Sequence, residues 1–189
     1  MDVTRFSFPY GESIQWFSPA KAENLPPQPL WDWLVSKDSL TAKLKAHCHD
    51  FSVLLVDEQW HHGLSNRYWT REVLLLLDDT PWVFASTLIP ESLMQNPEAG
   101  LQNLGNRPLG ELLYSSKNYL PGNIEVARFE SCSRLNELSC KLHQPVTEPL
   151  WGRRRYFEFQ QQTLIVSEVF LPQAISTITQ RQTPDLSGK

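Results

Sequence analysis

Three apolar segments with the alternating pattern of β-strands constrain the fold of this chain most strongly. They comprise residues 51–56, 68–78 and 81–89, and the last two meet at the turn-forming sequence Asp78-Asp79-Thr80. Strands joined by so short a turn pair antiparallel, whereas parallel strands need a long crossover connection. The sequence therefore predicts a meander and not a regular alternation of strand and helix.

Three further segments extend the predicted sheet to about six strands. They are residues 124–129, 156–160 and 163–171, and Gln161-Gln162 joins the last two tightly. Short helices are predicted at 28–34, at 108–114, within the mainly looped stretch 90–105, and from the N-cap Ser39 to about residue 47. We therefore expect an α+β fold in which helices cover one face of a single antiparallel sheet.

The length of 189 residues suits one domain with an arm. Five of the 14 prolines lie within the first 29 residues, which predicts an extended arm over residues 1–27. We assign residues 28–175 to the folded domain and residues 176–189 to a polar C-terminal tail.

Charge and hydropathy exclude several classes of protein. The net charge of -4 lacks the basic excess that a nucleic acid selects. The longest apolar run, residues 73–77, is too short to span a membrane, and the N-terminus has no secretory signal pattern. An odd number of cysteines, Cys48, Cys132 and Cys140, suits free thiols in the reducing cytoplasm.

Two charged residues interrupt apolar strand faces. Arg71 shares its face with Trp69 and Val73, and Glu168 shares its face with Val166 and Phe170. A buried charge needs a partner. Either the two pair with each other or reach water at a strand end, or they line a pocket for a small, rigid, anionic molecule.

Two weaker patterns involve histidines and arginines. Histidines at 47, 49, 61 and 62 accompany Cys48, but their spacing fits no standard zinc motif, so we expect no metal. The cluster Arg153-Arg154-Arg155 is either a solvated strand edge or the source of one arginine that faces an anion. Motifs typical of serine hydrolases, P-loop proteins and dinucleotide-binding enzymes are absent from the sequence.

An ordered set of short motifs resembles the bacterial chorismate lyase family. These motifs span most of residues 30–172 and read LWDWL (30–34), DSLT (38–41), RYWTREVLL (67–75), PW (81–82), NRPLG (106–110), LWGRR (150–154) and SEVFLP (167–172). The resemblance implies a cofactor-free enzyme of ubiquinone biosynthesis that converts chorismate into 4-hydroxybenzoate and pyruvate beneath flaps. We expect a cytoplasmic monomer.

The resemblance also implies which residues contact the ligand. Carried over by position, the contacts fall on Leu40, Arg71, Leu109 and Glu168. Family members often have methionine at the position of Leu40, so its contact is assigned to the backbone. Arg71 is expected to hold the ring carboxylate and Glu168 to meet the ring hydroxyl. From the arginine cluster we choose Arg154 for the second carboxylate.

The chain departs from the family pattern at residues 119–149 and in the arm. The alternative function is a non-catalytic sensor of an aromatic acid, because ligand-binding domains of bacterial transcription regulators have a similar fold. Such regulators normally carry a helix-turn-helix module before the sensor. Residues 1–27 are too short and too rich in proline to form one, which favours the enzyme.

Overall fold

Six strands form one open antiparallel sheet in the computed structural model, which describes residues 7–10, 12–63, 66–102 and 104–180. The order across the sheet is β1-β2-β3-β6-β5-β4. The strands are β1 (Phe51–His62), β2 (Arg67–Leu77), β3 (Thr80–Pro90), β4 (Leu120–Phe129), β5 (Leu150–Phe159) and β6 (Gln162–Phe170). Every neighbouring pair is antiparallel, which confirms the predicted fold class.

Two tight turns set the register of the central strands. Asp78 and Asp79 join β2 to β3 with φ values of 47° and 61°, and Gln160 and Gln161 join β5 to β6 with values of 46° and 64°. Two-residue turns with positive φ match the twist of the strands that they join. Both predicted hairpins are confirmed, although the second turn lies one residue earlier than predicted.

Three strands are longer than predicted, and one of them is β4, which begins at Leu120 and not at residue 124. Strand β1 continues to His62 at the sheet edge, past a register shift between Leu55 and Asp57, and its second half is polar and mostly exposed. Strand β5 begins at Leu150, ahead of a glycine and three arginines. Neither stretch alternates apolar with polar residues, which is the signal for a half-buried strand.

Five helices cover one side of the sheet, which we call the front face and define by Val73, Ala85 and Phe170. They are α1 (Gln28–Leu34), α2 (Leu40–Lys45), α3 (Glu91–Met94), α4 (Leu109–Ser115) and α6 (Pro172–Gln180). Ser39 caps α2 as predicted, since its Oγ accepts a hydrogen bond from the Ala42 amide at 3.2 Å. Short 3-10 turns occupy Pro19–Lys21 and Pro97–Ala99.

The predicted tail boundary at residue 176 is wrong. Helix α6 extends to Gln180 and buries Ile178 against the front face, because alanine and isoleucine recur there at helical spacing. Residues 181–189 lie outside the described part of the chain, as do residues 1–6 of the predicted arm.

The opposite side of the sheet, the back face, is covered by α5 (Ser133–Lys141) and by the arm. Leu135 and Leu138 of α5 pack in the same hydrophobic cluster as Phe8 of the arm. The ring centroids of Phe8 and Phe84 are 5.2 Å apart. Helix α5 falls within the segment 119–149 that departs from the family pattern. The expectation of helices on one face therefore holds for α1–α4 and α6, and α5 is an addition on the other.

One buried carboxylate ties both covering segments to the back face. Glu72 is 2% exposed and accepts hydrogen bonds from the Tyr10 hydroxyl at 2.5 Å and from Arg134 of α5. Burial, together with the bond to Glu72, raises the pKa of Tyr10 well above its ordinary value. The phenol therefore stays protonated and keeps donating to the carboxylate.

Cys48, Cys132 and Cys140 are all free, as predicted. Burial raises the pKa of the Cys132 thiol to about 11. Within the described residues, no helix combines the length and the apolar composition that a membrane span requires.

Replacing Gly152 by alanine should destabilise the sheet where β5 pairs with β6. The added Cβ would lie 2.9 Å from the Glu168 carbonyl oxygen and 2.9 Å from Phe129 Cε2. Overpacking of this kind should lower the free energy of unfolding by about 1–3 kcal/mol. Urea denaturation measures this change. Glu158→Ala, at an exposed position of the same strand, is the control. Equal stability of the two variants would contradict the prediction.

Candidate active site

Arg71 and Glu168 lie on the same face of the sheet, two strands apart. Arg71 of β2 is opposite Thr87 of β3, and Glu168 of β6 is opposite Ala85 of β3. From the spacing of strands and residues, their Cα atoms are about 12 Å apart. Both charges therefore border one area of the front face, and the small side chains of β3 lie between them.

The guanidinium of Arg71 is buried with part of its hydrogen-bonding capacity unused. It is 2% exposed, and its Nη2 donates to the Gly105 carbonyl at 2.5 Å. Its Nε lies 3.4 Å from Glu58 Oε1 but has no hydrogen-bond partner among the described residues. Burial lowers the pKa of Arg71, and the Glu58 carboxylate opposes this shift. A ligand carboxylate would satisfy the remaining donor.

The partner of Glu168 is Arg153 and not Arg71. These two residues are opposite each other on β5 and β6, and Arg153 Nε donates to Glu168 Oε2 at 2.8 Å. Arg153 also donates through Nη1 to the carbonyls of Ser36 at 2.8 Å and Trp33 at 3.4 Å. Glu168 Oε1 accepts no hydrogen bond from a described residue, so this oxygen can receive a ligand hydroxyl.

The three consecutive arginines of β5 point to both faces of the sheet. Arg153 and Arg155 lie on the front face, and Arg154 lies on the back face. There Arg154 Nε donates to Glu125 Oε2 at 2.5 Å, and its guanidinium lies 4.8 Å from the Trp16 ring centroid. The choice of Arg154 as a ligand contact is therefore wrong, because strand alternation directs it away from Glu168.

A small cavity separates the sheet from helices α2 and α4. Its volume is about 30 Å³, roughly the share of one water molecule in the liquid. Binding of an aromatic acid must therefore displace the surrounding side chains. The lining residues are Leu40, Thr41, Gly110, Leu113, Tyr114, Arg153, Arg155, Phe157, Val166 and Glu168.

The other two candidate residues, Leu40 and Leu109, are the first residues of α2 and α4. The first amide groups of a helix have no acceptor within it and favour negative charge. The two helix starts approach closely at Gly110, where a Cβ would lie 2.4 Å from Thr41 Oγ1. Leu40 and Glu168 line the cavity, whereas Arg71 and Leu109 do not.

The cavity includes a residue that the sequence analysis did not single out. Tyr114 lies one helical turn after Gly110, and its hydroxyl accepts a hydrogen bond from Arg155 Nη1. This i, i+4 spacing from the family motif at residues 106–110 is the signal that could have identified it.

The histidine and cysteine pattern does not form a metal site. Across the described ranges, no group of three or more His, Cys, Asp or Glu side chains is arranged to hold a metal ion. His61 instead contacts Thr70 Oγ1 at 2.9 Å, and His47 contacts the Lys43 carbonyl at 2.7 Å.

Comparison with known sequences identifies close relatives. A sequence model of the family described as chorismate lyase matches residues 11–181. A protein of Shewanella sp. (strain W3-18-1), named a probable chorismate pyruvate-lyase, is 52% identical over 186 residues, which cover 95% of this chain and 100% of that protein. A protein of the same name from Psychromonas ingrahamii is 39% identical over 153 residues, covering 76% and 82%.

Solved structures with a similar fold are much more distant in sequence. PhnF from Mycobacterium smegmatis aligns with a TM-score of 0.54 at 13% identity, covering 74% of this chain and 66% of that one. The C-terminal domain of the histidine utilization repressor from Pseudomonas syringae aligns with a TM-score of 0.50 at 12% identity, covering 74% and 98%. At such identities the likeness concerns the fold alone.

Removing Arg153 should destabilise the protein more than removing the whole ion pair. Arg153→Met leaves the Glu168 carboxylate largely buried without its cation, which should lower the free energy of unfolding by about 3–5 kcal/mol. The double variant Arg153→Met with Glu168→Leu removes both charges and should recover much of that loss. Denaturant titration at neutral pH measures the free energy of unfolding of the unmodified protein, the single variant and the double variant. A single variant at least as stable as the double variant would contradict this expectation.

Proposed function

The chain belongs to the chorismate lyase family, and we propose that it is a chorismate pyruvate-lyase, a carbon–oxygen lyase that forms 4-hydroxybenzoate and pyruvate. We further propose that it acts in the cytoplasm as a monomer, in the first committed step of ubiquinone biosynthesis. One observation carries the assignment. Arg71 and Glu168 border the same area of the front face, and each keeps a polar atom that forms no hydrogen bond with a described residue.

The substrate contains the driving force for the reaction. Chorismate carries a ring carboxylate, a ring hydroxyl and an enolpyruvyl ether with a second carboxylate. Cleavage of the ether C–O bond, with loss of the hydrogen on the hydroxyl-bearing carbon, makes the ring aromatic. The released enolpyruvate takes up a proton and becomes pyruvate, so atoms and electrons balance without another reactant. The protein has to orient the ring and stabilise the displaced charge.

Arg71 is proposed to bind the ring carboxylate. Its Nε is a buried donor without a partner among the described residues, and a planar guanidinium matches a carboxylate in a two-pronged contact. The backbone amides at Leu40 and Leu109, at the starts of two helices, are proposed to assist. The Cα separation of about 12 Å from Glu168 suits a ring whose polar groups lie at opposite ends.

Glu168 is proposed to meet the ring hydroxyl and to accept the proton that the ring loses. Arg153 occupies Oε2 and holds the carboxylate in place, while Oε1 remains for the substrate. Geometry takes precedence in assigning an acid–base residue, and Glu168 lines a cavity that Leu40 and Val166 also line.

A sensor of an aromatic acid is the second candidate. The likeness of the fold to the repressor's C-terminal domain favours it, but a fold does not determine function. A sensor would bind aromatic acids without converting them, so one assay separates the two candidates.

Purified protein incubated with chorismate should produce 4-hydroxybenzoate and pyruvate in equal amounts. The measurement is the absorbance of 4-hydroxybenzoate with pyruvate determined enzymatically, in the presence and absence of a chelator. Equal rates with and without the chelator are expected for the lyase. Binding of 4-hydroxybenzoate without turnover of chorismate would identify a sensor, and loss of activity with the chelator would identify a metal enzyme.

Glu168→Gln should separate binding from proton transfer. Glutamine retains hydrogen bonding to the ring hydroxyl but cannot accept a proton. We expect kcat to fall by about 10²–10⁴-fold, the range for a general base. The affinity for 4-hydroxybenzoate, measured by tryptophan fluorescence, should change much less. An unchanged kcat would show that Glu168 only positions the substrate.

A further inference from the structure

Arg155 is a buried arginine that lacks an acidic partner. It is 6% exposed, and its donors reach neutral acceptors: Nε donates to the Gly122 carbonyl at 3.3 Å, and Nη1 donates to the Lys37 carbonyl and the Tyr114 hydroxyl. Its guanidinium also lies 5.6 Å from the Phe157 ring centroid. A buried cation without a counter-ion is costly, so this arrangement favours binding of an anion.

The two arginines that precede Arg155 in the sequence each have an acidic partner. Arg153 pairs with Glu168, and Arg154 pairs with Glu125. Arg155 forms no ion pair with any described carboxylate, and its Nη2 donates to no described residue. Of these three arginines, Arg155 alone has both its charge and a donor available for a ligand.

Arg155 also lines two separate spaces in the structure. It lines the small cavity beside Glu168, and it lines an open groove of about 690 Å³ together with Lys37 and residues of β4. In the β5–β6 register, Arg155 is opposite Val166 and therefore diagonal to Glu168. Such diagonal neighbours are about 7–8 Å apart.

The chemistry of the substrate matches this position. The enolpyruvyl ether is attached to the ring carbon next to the one that bears the hydroxyl. If Glu168 holds the hydroxyl, the carboxylate of the enolpyruvyl group must bind beside Glu168. We propose, on the basis of the proposed lyase function, that Arg155 binds this second carboxylate and thereby distinguishes chorismate from 4-hydroxybenzoate.

Tyr114 positions Arg155 for this contact. Its hydroxyl accepts from Arg155 Nη1 and donates to the carbonyl of Asp38 at 3.2 Å. Burial raises the pKa of Tyr114, although the adjacent Arg155 opposes the shift, so the phenol remains a donor as well as an acceptor. After cleavage the pyruvate carboxylate lies beside the groove, whereas the aromatic product keeps its contacts with Arg71 and Glu168.

The test compares two arginine variants with two ligands. Arg155→Met keeps the packing of the side-chain stem but removes the charge, and Arg71→Met is its matched control. We expect Arg155→Met to raise the KM for chorismate about 30-fold or more, with less than about a 3-fold change in the Kd for 4-hydroxybenzoate. Arg71→Met should weaken both ligands, because the ring carboxylate is common to them.

Two conservative variants separate a specific role from a structural one. Arg155→Lys retains the charge and should recover most of the chorismate affinity. Tyr114→Phe should raise the KM for chorismate about 2–10-fold without weakening 4-hydroxybenzoate, the effect of one neutral hydrogen bond. A similar loss for both ligands in Arg155→Met, or no loss for either, would overturn the proposal.

Failure of this proposal is distinguishable from failure of the lyase function. Absence of chorismate turnover by the unmodified protein would contradict the lyase function alone. In that case the Kd values of chorismate and 4-hydroxybenzoate, measured at equilibrium for the unmodified protein and Arg155→Met, give the same comparison. Failure of the unmodified protein to bind either ligand would overturn both proposals.

Discussion

Burial of charged side chains within an apolar sheet is the constraint on which the rest of this structure depends. The central strands place Arg71, Arg153 and Glu168 on the front face, so their partners must come from the sheet itself or from the segments packed on it. The α1–α2 connection supplies the Ser36 carbonyl to Arg153, and the loop before α4 supplies the Gly105 carbonyl to Arg71. The same interactions hold the covering segments in place. They leave Arg71 Nε and Glu168 Oε1 without a hydrogen bond to a described residue.

The two faces differ in how completely their buried charged groups are hydrogen-bonded. Arg71 and Glu72 are adjacent in β2 and point to opposite faces, and both are 2% exposed. On the back face, both carboxylate oxygens of Glu72 are bonded, to Tyr10 and to Arg134. On the front face, Arg71 Nε forms an ion pair with Glu58 at 3.4 Å but donates no hydrogen bond to a described residue. Similar burial therefore serves attachment of the arm and α5 on one side, and on the other it supports the proposed recognition of a carboxylate.

Local sequence signals predicted the elements that depend on local interactions. Helix α1, the cap at Ser39 and both hairpin turns follow from capping, proline placement and turn chemistry, which act over a few residues. The second half of β1 and helix α5 were missed for a common reason. The former gains its hydrogen bonds from β2, and α5 gains its stability from the back face it covers, so neither carries a strong signal of its own.

The sequence by itself determined that Arg71 and Glu168 interrupt apolar strand faces, because alternation along a strand is a property of consecutive residues. It also determined the family, through an ordered set of short motifs. Only the tertiary structure decided that Glu168 pairs with Arg153 and that Arg154 points to the back face. Both results depend on the register between β5 and β6, which contacts between separate strands establish. Consecutive arginines beside Gly152 have no apolar alternation that could reveal this register in advance.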